Sequence, residues 1–264
     1  MGEAPAARRF GGIAALYGAR GLERFRRARV CVIGLGGVGS WVAEALARSG
    51  IGSLTLIDMD HVAVSNMNRQ LVALESTLGK AKARVLEERI LEINPAADVH
   101  AIEEFVTRDA HLDLLDSGYD MVVDCIDTFR DKAAIIARCR RSKVPVVTVG
   151  GTGGKTDPSA LCIRDLSRTE KDALLSRVRK ELRQQYGFPR NIKRRFSVPA
   201  VFSTEQVRQP PPDEGQACED PGGVRHSHLY CGGLGSVTHV TATAGFYAVS
   251  KVLEKLSSSE PENG

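Results

Sequence analysis

Four glycines, two carboxylates, an arginine and a lysine fall at spacings that suit the phosphates of a nucleotide. Gly34, Gly36 and Gly39 fit G-x-G-x-x-G, with Gly37 between them. A turn without Cβ atoms folds tightly and brings backbone N–H groups close to a phosphate. Ser40 to Arg48 continues as a helix, whose N-terminus carries partial positive charge toward that phosphate. Asp58 lies 24 residues after Gly34, near the spacing that sets a carboxylate on a ribose hydroxyl. Directly after it Asp60, Asn66, Asn68, Arg69 and Gln70 crowd one polar segment. Arg69 offers a forked grip on phosphate oxygens, and Lys82 a point charge. The bland alternatives are a tight turn with no ligand and an Asn-rich surface loop. The strand before the glycines, the helix after them and the acid at the right distance favour a nucleotide.

These residues need elements to carry them. Val30, Val32 and Ile33 read as a strand buried on both faces, and Leu54 to Ile57 as a second that ends in Asp58. One helix is expected near Leu22 to Arg27. Residues 77–94 read as another, capped by Thr77 or Ser76 and ended by Asn94-Pro95. Lys80 and Lys82 then sit in its first turns, where the helix dipole opposes a cation and an anion is wanted nearby. Val99 to Phe105 reads as a strand, Asp109 to Asp116 as a short helix, and 120–126 as a buried strand with Asp124 and Asp127 at its carboxyl end. A carboxylate there, facing phosphates, is a natural magnesium ligand. A basic helix over 130–141 and a strand over Val144 to Val149 follow. The run Gly150-Gly151-Thr152-Gly153-Gly154-Lys155 then lets backbone pass close to a ligand or another strand. Residues 160–166 read as a strand, 169–186 as a charged helix and 232–256 as the last helix. In open α/β sheets ligands sit beyond the carboxyl ends of strands, which places the polar segment after Asp58 at the site. The expected fold class is α/β, a Rossmann-like, mostly parallel sheet with helices on both faces. Residues 1–166 form its nucleotide-binding part, 167–256 a C-terminal extension in the same globular unit, and 257–264 a frayed tail.

The 264 residues are 42% hydrophobic and 26% charged, enough apolar chain for a sizeable core, and the net charge is +4. That mild excess permits a polyanionic partner without demanding one. The densest basic stretch is 190–196. With Arg138, Arg140, Arg141 and Lys143 it forms either a phosphate-tracking surface for nucleic acid or a solvated face. The start lacks an apolar signal core, and Leu234 to Leu253 contains His239 and Lys251, so a packed helix is expected there rather than a membrane insertion. Six cysteines show no C-x-x-C pair. Cys31, Cys125 and Cys162 fall in apolar runs as small core residues, a pattern of a reducing, cytoplasmic compartment. Residues 204–228 hold three consecutive prolines and read as a mobile loop across the site. The loop carries Cys218, His226 and His228, with Cys231 just after, but their irregular spacing argues against zinc.

GLGGVGS, LIDMD, SNMNRQ, GKAKA and DCID, in that order, resemble the adenylating superfamily of ubiquitin-activating-type enzymes over roughly residues 8–155. RFGGIAALYG, GGTGGKTDP and VFSTE are similar to the tRNA threonylcarbamoyladenosine dehydratases within it. The resemblance implies a glycine loop at Gly34 to Ser40, a ribose aspartate at Asp58 beside Asp60, and phosphate contacts from Asn66, Arg69 and Lys82, with Gln70 beside them. It assigns magnesium to Asp127. It also matches Cys231 to a family cysteine near the start of the last helix, either reactive or structural. It implies ATP and Mg²⁺, with a monovalent cation a further candidate. The implied partners are tRNA carrying threonylcarbamoyladenosine, a second copy in a homodimer, and sulfur-transfer proteins. Two departures set the chain apart from sulfur-carrier activators: Gly12 stands where their N-terminal arginine is found, with Arg9 nearest, and their two C-x-x-C pairs are missing. The competing readings are activation of a ubiquitin-like sulfur carrier, an NAD-linked oxidoreductase and a nucleotide-binding adaptor. NAD binding would not need Arg69, Lys82 and Asp127 to converge on phosphates.

Overall fold

Alternation along the first strand sorts the core into two layers. In the computed structural model, which describes residues 8–209 and 234–258, Val30 and Val32 of β1 (Arg29–Ile33) pack into one apolar cluster, and Cys31 and Ile33 into another. Successive strand side chains point to opposite faces, so each cluster is one side of the sheet. The first layer is closed by α1 (Gly11–Arg27), α2 (Gly39–Arg48), α3 (Lys82–Ile93) and α6 (Thr238–Ser258). The second is closed by α4 (Phe129–Arg141) and α5 (Ala173–Gln185).

The remaining strands are β2 (Ser53–Ile57), β3 (Asp98–Ile102), β4 (Met121–Asp124), β5 (Val146–Val149), β6 (Leu161–Asp165) and β7 (Pro199–Ser203). The sheet order is β3-β2-β1-β4-β5-β7-β6. All neighbours are parallel except β6 and β7. The chain winds outward from β1 to β3, then returns to place β4 on the other side of β1. That reversal opens a crevice between the carboxyl ends of β1 and β4.

The expected architecture holds, and its departures have local causes. α1 is longer than the six residues anticipated, because Gly18 at φ +76° bends it while Ile13 and Tyr17 still reach the core. Thr77 does not cap α3. It closes a one-turn 3-10 helix over Glu75–Thr77 by accepting from the Leu74 amide at 3.0 Å, and Gly79 at φ +76° separates that turn from the helix. α3 therefore begins at Lys82, and Lys80 precedes it. The strand expected to reach Phe105 ends at Ile102, and the helix expected from Asp109 is a 3-10 turn over Leu112–Asp116. β7 was not anticipated. Its five residues follow the basic stretch without a periodic signal, yet they sit between β5 and β6, so the sheet runs across position 166.

α6 packs against α2 and α1, and no helix among the described residues is long and apolar enough to cross a membrane. Cys31 and Cys139 are buried and Cys125 and Cys162 half-buried. Burial pushes the Cys125 and Cys139 thiols up to about 12, as suits unreactive core residues. Cys218, His226, His228 and Cys231, and the loop beyond residue 209, lie outside the described residues.

Candidate active site

The crevice is a cavity of about 660 Å³. Its floor is the glycine turn, and the glycines divide into two groups. Gly34, at φ +82°, lies so close to the next strand's exit that a Cβ would stand 3.0 Å from the Ile126 nitrogen. At Gly39 a Cβ would fall 1.8 Å from the Gly34 carbonyl oxygen. Gly39 thus lets the turn close on itself and does not line the cavity, whereas Gly34, Gly36 and Gly37 do. Ser40 also stands behind the wall. It is fully buried; its hydroxyl donates to the Gly36 carbonyl at 2.7 Å and accepts from the Leu71 amide at 3.2 Å. Ser40 therefore staples the polar segment 66–71 to the glycine turn, and its hydroxyl is spent inside the protein.

Asp58 directly follows β2 with both carboxylate oxygens engaged, accepting from the Leu35 amide at 2.6 Å and the Asp60 amide at 2.8 Å. Burial pushes its pKa up, against the pull of Lys82 and the two amides. Asp60 reaches Lys82, whose ammonium lies 2.9 Å from its carboxylate and is almost fully buried at the first residue of α3. The cation disfavoured by the helix dipole thus has one carboxylate within ion-pair distance among the described residues, and it lines the cavity. Asn66 is buried and accepts from the Ala63 amide at 3.1 Å. Arg69 donates to the Ser65 carbonyl at 2.7 Å and the Asn68 side chain at 3.0 Å, while its own carbonyl accepts from the Trp41 indole. Gln70 is buried in the cavity wall, and its Oε1 has no protein donor among the described residues. A buried acceptor left in that state costs about 1–3 kcal/mol, which a donor on a bound ligand would recover.

The two aspartates near the end of β4 have separate fates. Asp124 is fully buried and is consumed by the Lys132 ammonium at 2.9 Å and the Thr148 hydroxyl at 2.7 Å. Asp127 opens on the cavity, where surrounding protein pushes its pKa up and Lys132 and Lys82 pull it down.

Phe105, Lys171 and Asp172 line the cavity without having been anticipated, and the second glycine run comes close to it as expected. Phe105, more than half exposed, lies on the segment after β3, beside Asp58's strand. On the opposite side stand the second glycine run, Lys155, Lys171 and Asp172. Asp172 caps α5 through the Leu175 amide at 2.8 Å and ties the glycine run to it through the Gly151 amide at 2.9 Å. Lys155 is almost fully buried, donates to the Glu205 carbonyl, and has its pKa pushed down by burial. The segment before α6 crosses between the halves: the Ser236 carbonyl accepts from the Asn68 amide group, and the Gly235 carbonyl from the Gly154 amide. A single detectable signal, the VFSTE stretch, pointed to Glu205 without giving it a job.

That job is a clamp. The Glu205 carboxylate accepts from the Thr156 and Asp157 amides, both at 2.9 Å, and is held at about 2, below its ordinary 4.5. A depressed carboxylate stabilises above its unfolded pKa and loses that contribution as pH falls through the folded one. Amide exchange at Thr156 and Asp157 is therefore expected to speed up, relative to the intrinsic rate, between pH about 4.5 and about 2. Glu205→Gln should show no such step; a step of equal size in that variant would remove the clamp from consideration.

The basic stretches seen in the sequence are not at the cavity. α4 starts beside it, and Arg138, Arg140 and Arg141 lie at its far end; the 190–196 stretch precedes β7, also at the edge where the parallel strands start. Arg9 donates to the Ile93 carbonyl at 2.5 Å and is likewise outside the cavity.

The cavity thus has the first glycine turn, Arg69 and Lys82 on one side and the second glycine run, Lys155, Lys171 and Asp172 on the other. The ThiF family model matches residues 11–263. A tRNA threonylcarbamoyladenosine dehydratase of Haemophilus influenzae is 50% identical over 248 residues, 94% of this chain and 93% of that one. One of Escherichia coli is 46% identical over 257 residues, 97% and 96% of the two chains. The crystal structure of the E. coli dehydratase TcdA in complex with ATP superposes with a TM-score of 0.84 at 46% identity, covering 95% of this chain and 94% of that one. The chain belongs to the ThiF family, on the branch of these dehydratases.

Proposed function

We propose that the protein uses ATP to dehydrate the threonylcarbamoyl group of threonylcarbamoyladenosine in tRNA. The observation that carries this reading is a two-sided cavity, phosphate cradle against polar recess, in a chain half identical to a dehydratase along nearly its whole length. A carboxylate is a poor electrophile because oxide does not leave. A carboxylate oxygen of the threonyl moiety attacks the α-phosphorus of ATP, the bond to pyrophosphate breaks, and an acyl adenylate forms. A nitrogen or oxygen of the same side group then attacks the acyl carbon. The bond to AMP breaks, the attacking group's proton is released, and the ring closes with net loss of water.

The residues divide this work by position. Asp58 and the orphaned Gln70 acceptor suit ribose hydroxyls, and Phe105, beyond the end of β3, suits the adenine. Gly36 and Gly37 leave room for the phosphates, and Arg69 and Lys82 offset the repulsion between the attacking carboxylate and the triphosphate. Lys155 puts a buried ammonium in the recess, the charge an incoming carboxylate needs. Asp127 would hold Mg²⁺ together with the phosphates, as suits a cation usually bound by one or two carboxylates. The ion supplies further screening of the triphosphate. Holding the side group close to its own acyl carbon makes closure a positioning problem rather than an encounter.

The test is mass analysis of nucleosides from threonylcarbamoyladenosine-bearing tRNA incubated with the protein, ATP and Mg²⁺. A nucleoside lighter by one water, formed only with ATP, is the expected result. No mass change, with ATP–pyrophosphate exchange only when a ubiquitin-like carrier is added, would replace this reading with carrier activation.

A further inference from the structure

Of the exposed basic residues, one group borders the recess rather than the far edge of the sheet. Phe129 opens α4 next to the cavity-lining Thr128, and its ring carries two guanidiniums, Arg130 and Arg177, each 5.5 Å from the centroid. Arg177 comes from α5, whose capping residue Asp172 lines the recess. Both arginines are exposed, and neither has a carboxylate within ion-pair distance among the described residues. Lys171, exposed and cavity-lining, stands just before α5, and Lys180 continues the exposed stripe after Arg177. Arg141, at the other end of the 13-residue α4, is about 20 Å away.

This placement matters because the reacting group is attached to a polynucleotide. To bring one modified base into the recess, the adjoining backbone must cross its rim. Bases in single-stranded RNA loops can be splayed out in this way. Guanidiniums held on a ring face keep their forks oriented without spending their charge on a carboxylate, and forks match phosphate oxygens.

We infer that Arg130 and Arg177, set by Phe129 and flanked by Lys171, grip the phosphates of the tRNA loop next to the modified adenosine. The inference rests on the dehydratase reading for the identity of the polyanion. It moves the phosphate track from the Arg138–Lys143 and 190–196 stretches to the mouth of the cavity.

The experiment compares Arg130→Ala/Arg177→Ala with Arg140→Ala/Arg141→Ala, using threonylcarbamoyladenosine-bearing tRNA. For the rim variant the KM for tRNA is expected to rise about tenfold or more, and the slope of log binding constant against log salt to flatten by about two. Its ATP affinity and its rate at saturating tRNA should stay within about twofold of wild type, since phosphate contacts position rather than react. Arg130→Lys/Arg177→Lys should recover most of the salt slope, which a folding defect would not permit. An unchanged KM and slope in the rim variant, or the same losses in the far-edge variant instead, would overturn the inference. If wild type binds tRNA with the rim-dependent slope yet makes no dehydrated nucleoside, the rim assignment stands and the dehydratase reading fails.

Discussion

Lys132→Met is expected to cost about 3–5 kcal/mol of stability, because it leaves Asp124 buried without its counter-charge. Both side chains are fully buried, and the ammonium also donates to the Asp124 carbonyl at 3.2 Å. Burial pushes the Asp124 carboxyl up, and Lys132 and Thr148 act against it. Without Lys132 the upward push is unopposed. The stability deficit is then largest at neutral pH and shrinks as pH falls through the raised pKa, since a protonated Asp124 has no charge to bury. Urea unfolding at two pH values measures this, and the Tm at neutral pH should drop by roughly 6–20 °C. Asp124→Asn/Lys132→Met should recover most of the loss, because removing both charges removes the penalty. A single variant within about 1 kcal/mol of wild type at neutral pH would show that the pair contributes little.

Lys82→Ala should leave the fold nearly intact and reduce turnover about 10²–10³-fold. Its partner Asp60 is more than half exposed, so water can solvate that carboxylate once the ammonium is gone. The cavity loses the cation proposed to meet the triphosphate. Single-turnover release of AMP and pyrophosphate, alongside an unfolding curve, separates the two effects. Full activity in a folded Lys82→Ala protein would favour an adaptor that keeps the fold and has no need of the charge.

What could be read along the chain was whatever depends on near neighbours. The glycine turn, Asp58 and the alternation of β1 have fixed spacings within one strand-turn-helix-strand unit, and the fold reproduces them. Asp60, Asn66, Arg69, Gln70, Lys82 and Asp127 do line one cavity, because the polar segment and the end of β4 meet at the winding reversal. Ser40 shows where adjacency misleads: it follows the turn in sequence, but the helix rotates its hydroxyl inward. Asp172 had no local signal, and the stretches holding Lys155 and Glu205 stood out without revealing a role, since these residues join segments 21 to 50 residues apart. Composition detected the arginine clusters but could not say which edge of the sheet they occupy. Helix starts were misjudged where a glycine at positive φ, such as Gly79, interrupted a continuous apolar pattern.

The position of β7 has a consequence for how the protein is made. β6 joins the sheet only through β7, which emerges from the ribosome 38 residues later. Until then β5 presents an open edge of unpaired N–H and C=O groups, and β6 has no partner. The antiparallel pair must assemble and dock as a late step spanning distant chain segments, which is slow relative to local pairing. The interval between synthesis of β5 and of β7 is therefore when the nascent chain is most exposed to wrong pairing with another molecule.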